Sequence, residues 1–426
     1  MQPSNHTPPR RTLCIGLVGF GTVGKGLFDV LEATRGLQAT IKKICIKDPG
    51  KKRAVDSSYF TTDFNELLND ECINVIAELI DDADAAFEMV RASLQKGKAV
   101  VSANKKMIAA HLPELLRLQS KCNTAFLYEA SCCAGIPIIR NLEEYYDNDM
   151  LTRLRGIVNG STNFILTKIA EENLSFKKAL GLAQEAGFAE SDPSLDIEGH
   201  DAANKLSILA AHAFGIAVPP QKILYTGITA ISERDAAFAA GKDCSIKLLA
   251  YAQKNTGGSV LFVLPQLVKK GSDFDNVKNE FNALETESCF ADRHFFKGKG
   301  AGAYPTAAAV LSDIAALRYD YRYEYKKMHT AAAPVITNDF LLNISVSADD
   351  IQKLKTDAFA HIDHLHREAG NPRITGSISA KQLAANSWWK ENNVSLLLCE
   401  KAFPEKKISP SAEIPEYSAV YERATG

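Results

Sequence analysis

A chain of 426 residues exceeds one ordinary domain, and two or three are expected. A composition that is 46% hydrophobic and 23% charged is that of a soluble globular protein with a sizeable core. The net charge of −2 argues against nucleic acid or an anionic membrane as partner, and no apolar run approaches the roughly 20 residues of a membrane span. Met1 to Arg11 is polar, lacks the apolar centre of a signal peptide and reads as a loose leader. Nine cysteines, an odd number with several inside apolar runs, read as thiols in a reducing cytoplasm. None forms a CxxC, and no His/Cys cluster has zinc spacing.

The first third alternates strand and helix. Leu13 to Val18 is an apolar strand, followed by the GxGxxG loop Gly19-Phe20-Gly21-Thr22-Val23-Gly24 and a helical pattern through Val23, Leu27, Val30 and Leu31. These glycines permit a tight turn, close approach of backbone to a pyrophosphate and close helix–strand packing, while the helix start offers free N–H groups. Such loops also occur for purely structural reasons, and the strand–loop–helix context favours the dinucleotide reading. Ile41 to Ile46 is the next strand, ending at Lys47-Asp48-Pro49-Gly50. Val75 to Ile80 is a buried strand, and Ala83 to Lys96 a helix closed by Gly97. Ala99 to Ala103 is a strand ending in Asn104-Lys105-Lys106, Pro113 to about Ser120 a helix, and Ala125 to Tyr128 a strand. This pattern predicts an α/β, Rossmann-type doubly wound parallel sheet over residues 11–150. Its ligand edge lies at the strands' carboxyl ends, where Lys47, Asp81, Lys105 and Glu129 fall.

The middle third, 151–302, changes to an α+β pattern. Leu151 to Val158 reads as a strand, Asn163 to Glu171 and Ser175 to Ala186 as helices, and Val260 to Val268 and Phe290 to Phe296 as strands. Gly187 closes the second helix and opens Gly187-Phe188-Ala189-Glu190-Ser191-Asp192-Pro193, ahead of a helix from Asp201 to Phe214. Asp201 and Lys205 share one helix face about a turn apart, and Glu190 can fold back toward it. Two carboxylates beside one amine suit a small zwitterionic substrate, with the lysine left for proton transfer. For an isolated Asp/Lys pair a surface ion pair is the commoner outcome; the glycine loop in the same chain tips the balance. Lys297-Gly298-Lys299-Gly300-Ala301-Gly302 then precedes a helix, Thr306 to Leu317, which can return the chain (303–325) to the cofactor.

From about Asn338 the pattern changes again. Phe340 to Val346 alternates like a strand, Ile351 to Arg367 is helical, and Arg373 to Ile378 and Val394 to Cys399 are short strands. A small βαββ module over 338–405 is expected, followed by a disordered polar tail, 406–426.

With these pieces in place, the chain resembles a homoserine dehydrogenase over roughly residues 13 to 320. The resemblance rests on Gly19 to Gly24, Ser102-Ala103-Asn104-Lys105, Glu129 to Pro137, Gly156 to Asn163, Gly187 to Pro193, Asp201 to Leu206 and Gly300-Ala301-Gly302, in that order. It implies reversible hydride transfer between L-homoserine and L-aspartate 4-semialdehyde with NADP or NAD, on the route to threonine and methionine, by a cytoplasmic homodimer or homotetramer. By family match, Lys205 and Lys105 are catalytic, while Gly187, Glu190 and Asp201 hold the substrate. Gly19, Phe20, Gly21, Thr22, Val23, Gly24, Lys47, Ser102, Lys105 and Gly302 contact the cofactor. Two ammonium groups close together would depress each other's pKa, leaving one a competent base. Glu129 and the backbone carbonyls of Cys132, Ala134 and Ile136 resemble a loop binding sodium or potassium; the plainer reading is a domain crossover.

Two departures stand out. The family's two glycines after Val75 to Ile80 are Asp81-Asp82 here, carboxylates that would repel a cofactor phosphate unless turned away. The C-terminal module sits where relatives carry a threonine-sensing ACT domain, yet the usual Pro-Gly turn is replaced by Ser347-Ala348-Asp349-Asp350. An acylating semialdehyde dehydrogenase on the same scaffold would need a Cys/His pair that the sequence does not place. The other alternative is a non-catalytic amino-acid sensor, favoured only by Asp81-Asp82.

Overall fold

In a computed structural model the described residues are 12–34, 36–147, 150–255, 258–329, 336–368, 370–391 and 393–399. The leader Met1 to Arg11 and the tail 406–426 lie outside them. The first sheet is built from β1 (Leu13–Val18), β2 (Ala39–Cys45), β3 (Phe60–Thr61), β4 (Val75–Glu78), β5 (Ala99–Ser102) and β6 (Phe126–Leu127). They pair in parallel in the order β3-β2-β1-β4-β5-β6. The intervening helices are α1 (Thr22–Ala33), α2 (Phe64–Leu68), α3 (Ala83–Gln95) and α4 (Lys105–Cys122). β4 and β5 are buried along their whole length, as parallel strands covered on both faces must be. This is the doubly wound sheet the sequence predicts.

α4 begins eight residues before the expected start at Pro113. Asn104 caps it by accepting from the Met107 amide at 3.0 Å. Pro113 sits inside the helix, where a ring removes one N–H without stopping a helix secured by its own cap and by packing.

A second, mixed sheet follows. α5 (Ile138–Glu144) leads to β7 (Leu151–Ile157), then α6 (Gly160–Glu172), α7 (Phe176–Glu185), α8 (Ser194–Ile197) and α9 (His200–Phe214). After β8 (Leu224–Tyr225) and α10 (Glu233–Gly241) come β9 (Cys244–Asn255), β10 (Gly258–Lys269), β11 (Phe281–Ser288) and β12 (Asp292–Lys299). α11 (Ala303–Leu317) returns to pack on α1. β9 and β11 have no counterpart among the sequence-read strands. α9 lies between the helices α4 and α5 and the strands β7, β9 and β10, so every residue in it except His200 and Asn204 is buried. Its alanines, leucines, isoleucine and phenylalanine fill such a place, and its buried polar side chains must find partners there. Its far end is fixed by His212, whose Nδ1 lies 2.6 Å from Glu143 Oε1 and Nε2 2.8 Å from the Tyr128 hydroxyl.

The C-terminal module is β13 (Leu341–Ala348), β14 (His361–His366), β15 (Arg373–Ser379), α12 (Ala380–Ala385) and β16 (Val394–Leu398). It continues the second sheet, in the overall order β12-β11-β7-β9-β10-β16-β13-β15-β14. The βαββ expectation is corrected: the stretch 351–367 holds two short 3₁₀ turns and β14, and the helix follows the third strand instead. The cause is a β-bulge between Ile362 and His364. It sets Ile362 and Leu365, three apart, on the same apolar face, mimicking helical spacing. The module is also tied to α10 by Arg373, whose guanidinium donates to Asp235 Oδ1 at 2.8 Å and lies 4.1 Å from the Phe238 ring.

Candidate active site

The GxGxxG loop crosses from β1 to α1 at the carboxyl edge of the first sheet. Gly19 has φ +94°, and a Cβ there would stand 2.6 Å from Leu79 O. A Cβ on Gly24 would stand 2.2 Å from Gly19 O, so the helix can approach the turn only without a side chain. Gly21 is different: a Cβ there would meet no atom within 4 Å, and it caps α1 without any side-chain bond. The loop is closed on its own backbone and open outward, beside free helix amides starting at Thr22 and Val23. Such a cradle fits a dinucleotide phosphate. Phe20 packs edge-on against Phe60, with ring centroids 5.3 Å apart.

At the end of β2, Lys47 is exposed. The Asp48 carboxylate accepts from Gly50 N at 2.9 Å, within its own turn. Arg53 donates to Asp48 O and Lys51 O at 2.8 and 2.7 Å and lies 5.3 Å from the Phe60 ring. Asp82 caps α3, accepting from Ala85 N at 3.1 Å. Of the two carboxylates that would repel a phosphate, one is thus turned into a helix start.

The Asp201 carboxylate, 2% exposed, is the centre of the second cluster. Lys205 Nζ donates to Oδ2 at 2.8 Å and to Val158 O at 2.7 Å. Asn159 Nδ2 donates to the same Oδ2 at 2.8 Å. Lys105 Nζ, at the start of α4, lies 2.8 Å from Oδ1 as an ion pair, and a carboxylate oxygen, with two acceptor sites, can take a further donor beside it. Burial opposes ionisation of Asp201, and Lys105 and Lys205 outweigh it, holding the carboxyl below the usual carboxylate range. Burial also opposes the Lys205 charge, and Asp201 overrides it, so this lysine is raised above its ordinary value. The expectation of two lysines depressing each other is corrected, because a carboxylate stands between them. The surface-pair alternative also falls, since neither side chain of the Asp201–Lys205 pair is more than 8% exposed.

Asp196 belongs here and was missed from sequence. Its carboxylate accepts from Asn159 Nδ2 at 2.7 Å and Ser161 Oγ at 2.9 Å, bracing the residue that holds Asp201. Its position five residues before Asp201, in the short helix α8 that follows the Glu190 loop, was the available signal. Gly187 ends α7 with φ +75°. Glu190 is exposed, and among the described residues no hydrogen bond or ion pair joins its carboxylate to Asp201 or Lys205. Ser102 is fully buried, with its hydroxyl donating to Glu78. Gly302 caps α11 where that helix returns to α1.

Glu129 is buried at the crossover. Its oxygens accept from Ile139 N and Arg140 N at 2.9 and 2.8 Å, capping α5, and its own N–H donates to Asp313 at 2.8 Å. The turn that follows, containing Cys132, Ala134 and Ile136, closes through Ile136 N donating to Cys133 O at 2.8 Å. Burial raises both thiols, so Cys132 and Cys133 are unreactive there.

A family model described as homoserine dehydrogenase matches residues 137–315, and one described as homoserine dehydrogenase, NAD binding domain, matches 19–129. The homoserine dehydrogenase of Bacillus subtilis is 36% identical over 321 residues, covering 73% of this chain and 74% of that protein. That of Helicobacter pylori is 37% identical over 312 residues, covering 72% and 73%. The crystal structure of a homoserine dehydrogenase from Thiobacillus denitrificans matches with a TM-score of 0.81 at 27% identity, over 92% of this chain and 99% of that one. A hyperthermophilic archaeal homoserine dehydrogenase mutant in complex with NADPH matches with a TM-score of 0.62 at 26% identity, over 73% and 99%. By these matches the chain belongs to the homoserine dehydrogenase family of nicotinamide-dependent oxidoreductases.

Proposed function

We propose that this chain interconverts L-homoserine and L-aspartate 4-semialdehyde, with NADP preferred over NAD, in cytoplasmic threonine and methionine synthesis. The observation that supports this most directly is the buried Asp201 carboxylate between Lys105 and Lys205, with one oxygen still able to accept a donor. A substrate ammonium suits that oxygen, with Glu190 closing from its exposed loop and Gly187 supplying backbone. When bound, the nicotinamide gives or takes the hydride; the glycine loop Gly19 to Gly24, Ser102 backbone and Gly302 hold the cofactor.

An ammonium has three N–H donors. Lys205 directs two to Val158 O and Asp201 Oδ2, and the third is free for a substrate oxygen. Raised by Asp201, Lys205 is stocked with its proton, the form that protonates the carbonyl oxygen as an aldehyde is reduced. In the oxidative direction it must first be neutral. The arriving substrate ammonium competes for Asp201, weakens the hold on Lys205 and brings its pKa down, so substrate binding prepares the base.

Lys47 and the ordered Arg53 supply cations at the end of the second strand, while Asp48 is closed into its own turn; this supports a 2′-phosphate over free ribose hydroxyls. The test is kcat/KM with each cofactor in wild type and Lys47→Ala. NADP preference that collapses in the variant supports the assignment, and an NAD preference indifferent to Lys47 sinks it.

For the crossover we keep a sodium or potassium ion held by Glu129 and the carbonyls of Cys132, Ala134 and Ile136. The donors are all oxygens, and burial raises Glu129, which a cation would reverse. Each Glu129 oxygen already accepts one amide, so an ion would share it. Equal activity in potassium and tetramethylammonium chloride would count against the ion. The same reading divides the chain into a nucleotide domain (11–150, with 303–325), a substrate and dimerisation domain (151–302) and a C-terminal module (338–405). Light scattering tests the expected dimer or tetramer.

A further inference from the structure

Glu78 is the last residue of β4, is fully buried and has no part in the chemistry above. It lies opposite Ser102 on β5. The Ser102 hydroxyl donates to Glu78 Oε2 at 2.5 Å, and Ile80 N donates to Oε1 at 2.8 Å. Ser102 Oγ in turn accepts from Asn104 N at 3.1 Å. The Asn104 amide then reaches both ways, donating to Ile80 O at 3.1 Å and accepting from Met107 N at 3.0 Å. The result is a closed ring of hydrogen bonds joining the loop after β4 to the first turn of α4. Lys105, which meets Asp201, is the first residue of that helix.

A carboxyl in this place opposes its own burial. Burial pushes Glu78 up to about 7, against the pull of Ser102 and Ile80 N. Of the charged groups on the elements around it (the glycine loop, β5, the loop after β4 and the start of α4), only Asp81 acts on it, in the same direction as burial. An apolar side chain would fill the position without that cost but could not close the ring. We propose that Glu78 is a positioning residue for hydride transfer, its ionised carboxylate clamping the loop after β4 to the start of α4 and so holding Lys105 against Asp201. The inference rests on Lys105 belonging to the reaction site.

Hydrogen bonds to an ionised acceptor are roughly twice as strong as neutral ones, so the clamp is firm above neutrality and loosens below it. In wild type, kcat should therefore carry an inflection near pH 7, falling toward acid. Glu78→Gln has the same shape without the charge. It should lose that inflection and lower kcat at pH 8 by about 5- to 30-fold, with the KM for homoserine little changed. Ser102→Ala, which breaks the ring at its middle, should lower kcat similarly at pH 8. In a Lys105→Ala background, Glu78→Gln should add almost nothing. Retention of the inflection in Glu78→Gln, or an undiminished additional loss on Lys105→Ala, would overturn the clamp while leaving Lys105 in the site. A Lys105→Ala variant as active as wild type would overturn both.

Discussion

Replacing Asp201 by Asn tests the site at its centre. The substitution keeps the shape of the side chain and removes one charge, at a position where Lys105 and Lys205 each approach an oxygen at 2.8 Å. A hydrogen bond to a charged group contributes about 1.5–3 kcal/mol, so losing this partner for the substrate ammonium should raise the KM for homoserine about 10- to 150-fold. A second effect follows from Lys205, which is buried and owes its raised pKa to Asp201. Without the carboxylate, burial dominates and the lysine loses its proton more readily. Reduction of the semialdehyde, which needs that proton, should then decline toward alkaline pH in the variant at values where wild type is flat. Initial rates followed by nicotinamide absorbance, in both directions and over a pH series, read both effects, and a melting curve checks the fold. A KM for homoserine within about threefold of wild type, in a folded variant, would refute the assignment of Asp201 to the substrate.

Lys205→Ala should lower kcat by about 10²–10⁴-fold, the usual share of a general acid or base, and near-native kcat across pH would remove it from proton transfer. Gly24→Ala should raise the KM for cofactor by about tenfold or more, because relieving a Cβ placed 2.2 Å from Gly19 O distorts the phosphate loop; unchanged cofactor kinetics would show that the loop can yield. Arg373→Met leaves Asp235 buried with its charge uncompensated and should cost about 3–5 kcal/mol, seen as a lower urea midpoint; an unmoved midpoint would mean that the bonds Asp235 accepts from Ser232 N and Ser347 Oγ, both at 2.9 Å, suffice. The stability contributed by protonated Glu78 and Asp313 should fall as pH rises from about 4.5 to 8. Glu78 and Asp313 are pushed by burial up to about 7 and about 8, so the fold keeps protons that the unfolded chain has released. For Glu78 the upper bound is about 3 kcal/mol, and Glu78→Gln should flatten that part of the denaturation-against-pH curve.

The first sheet was legible because its signals are local: an apolar run followed by a helix occurs at β1–α1, β4–α3 and β5–α4, with the glycine loop at the first of them. The pairing of Asp201 with Lys205 was legible for the same reason, being a single helical turn. What spacing could not reveal was depth. Whether the pair lies on a surface depends on α4, α5 and three strands closing around α9, although the apolar run from Leu206 to Phe214, interrupted only by Ser207 and His212, already pointed inward. Lys105 meets Asp201 across 96 residues of chain, and the inverted pKa expectation came from knowing the two lysines without the carboxylate between them. The helix expected over 351–367 failed because a bulged strand and a helix can both repeat at three. Pro113 misled in the opposite sense, since a proline inside a helix weakens it without ending one that its cap and packing secure.

The extra residue in β14 has a consequence for solubility. β14 is the outer strand of a ten-stranded sheet and, among the described residues, pairs only with β15, so its other side offers backbone donors and acceptors to a passing strand. Without Asp363 the segment would read His-Ile-His-Leu-His, a regular alternation with both apolar side chains still facing the core. The folded module would lose little, and its rim would become straight enough to template a second copy. Asp363, exposed and charged at the kink, is the kind of feature that blunts an edge strand against pairing with a second copy.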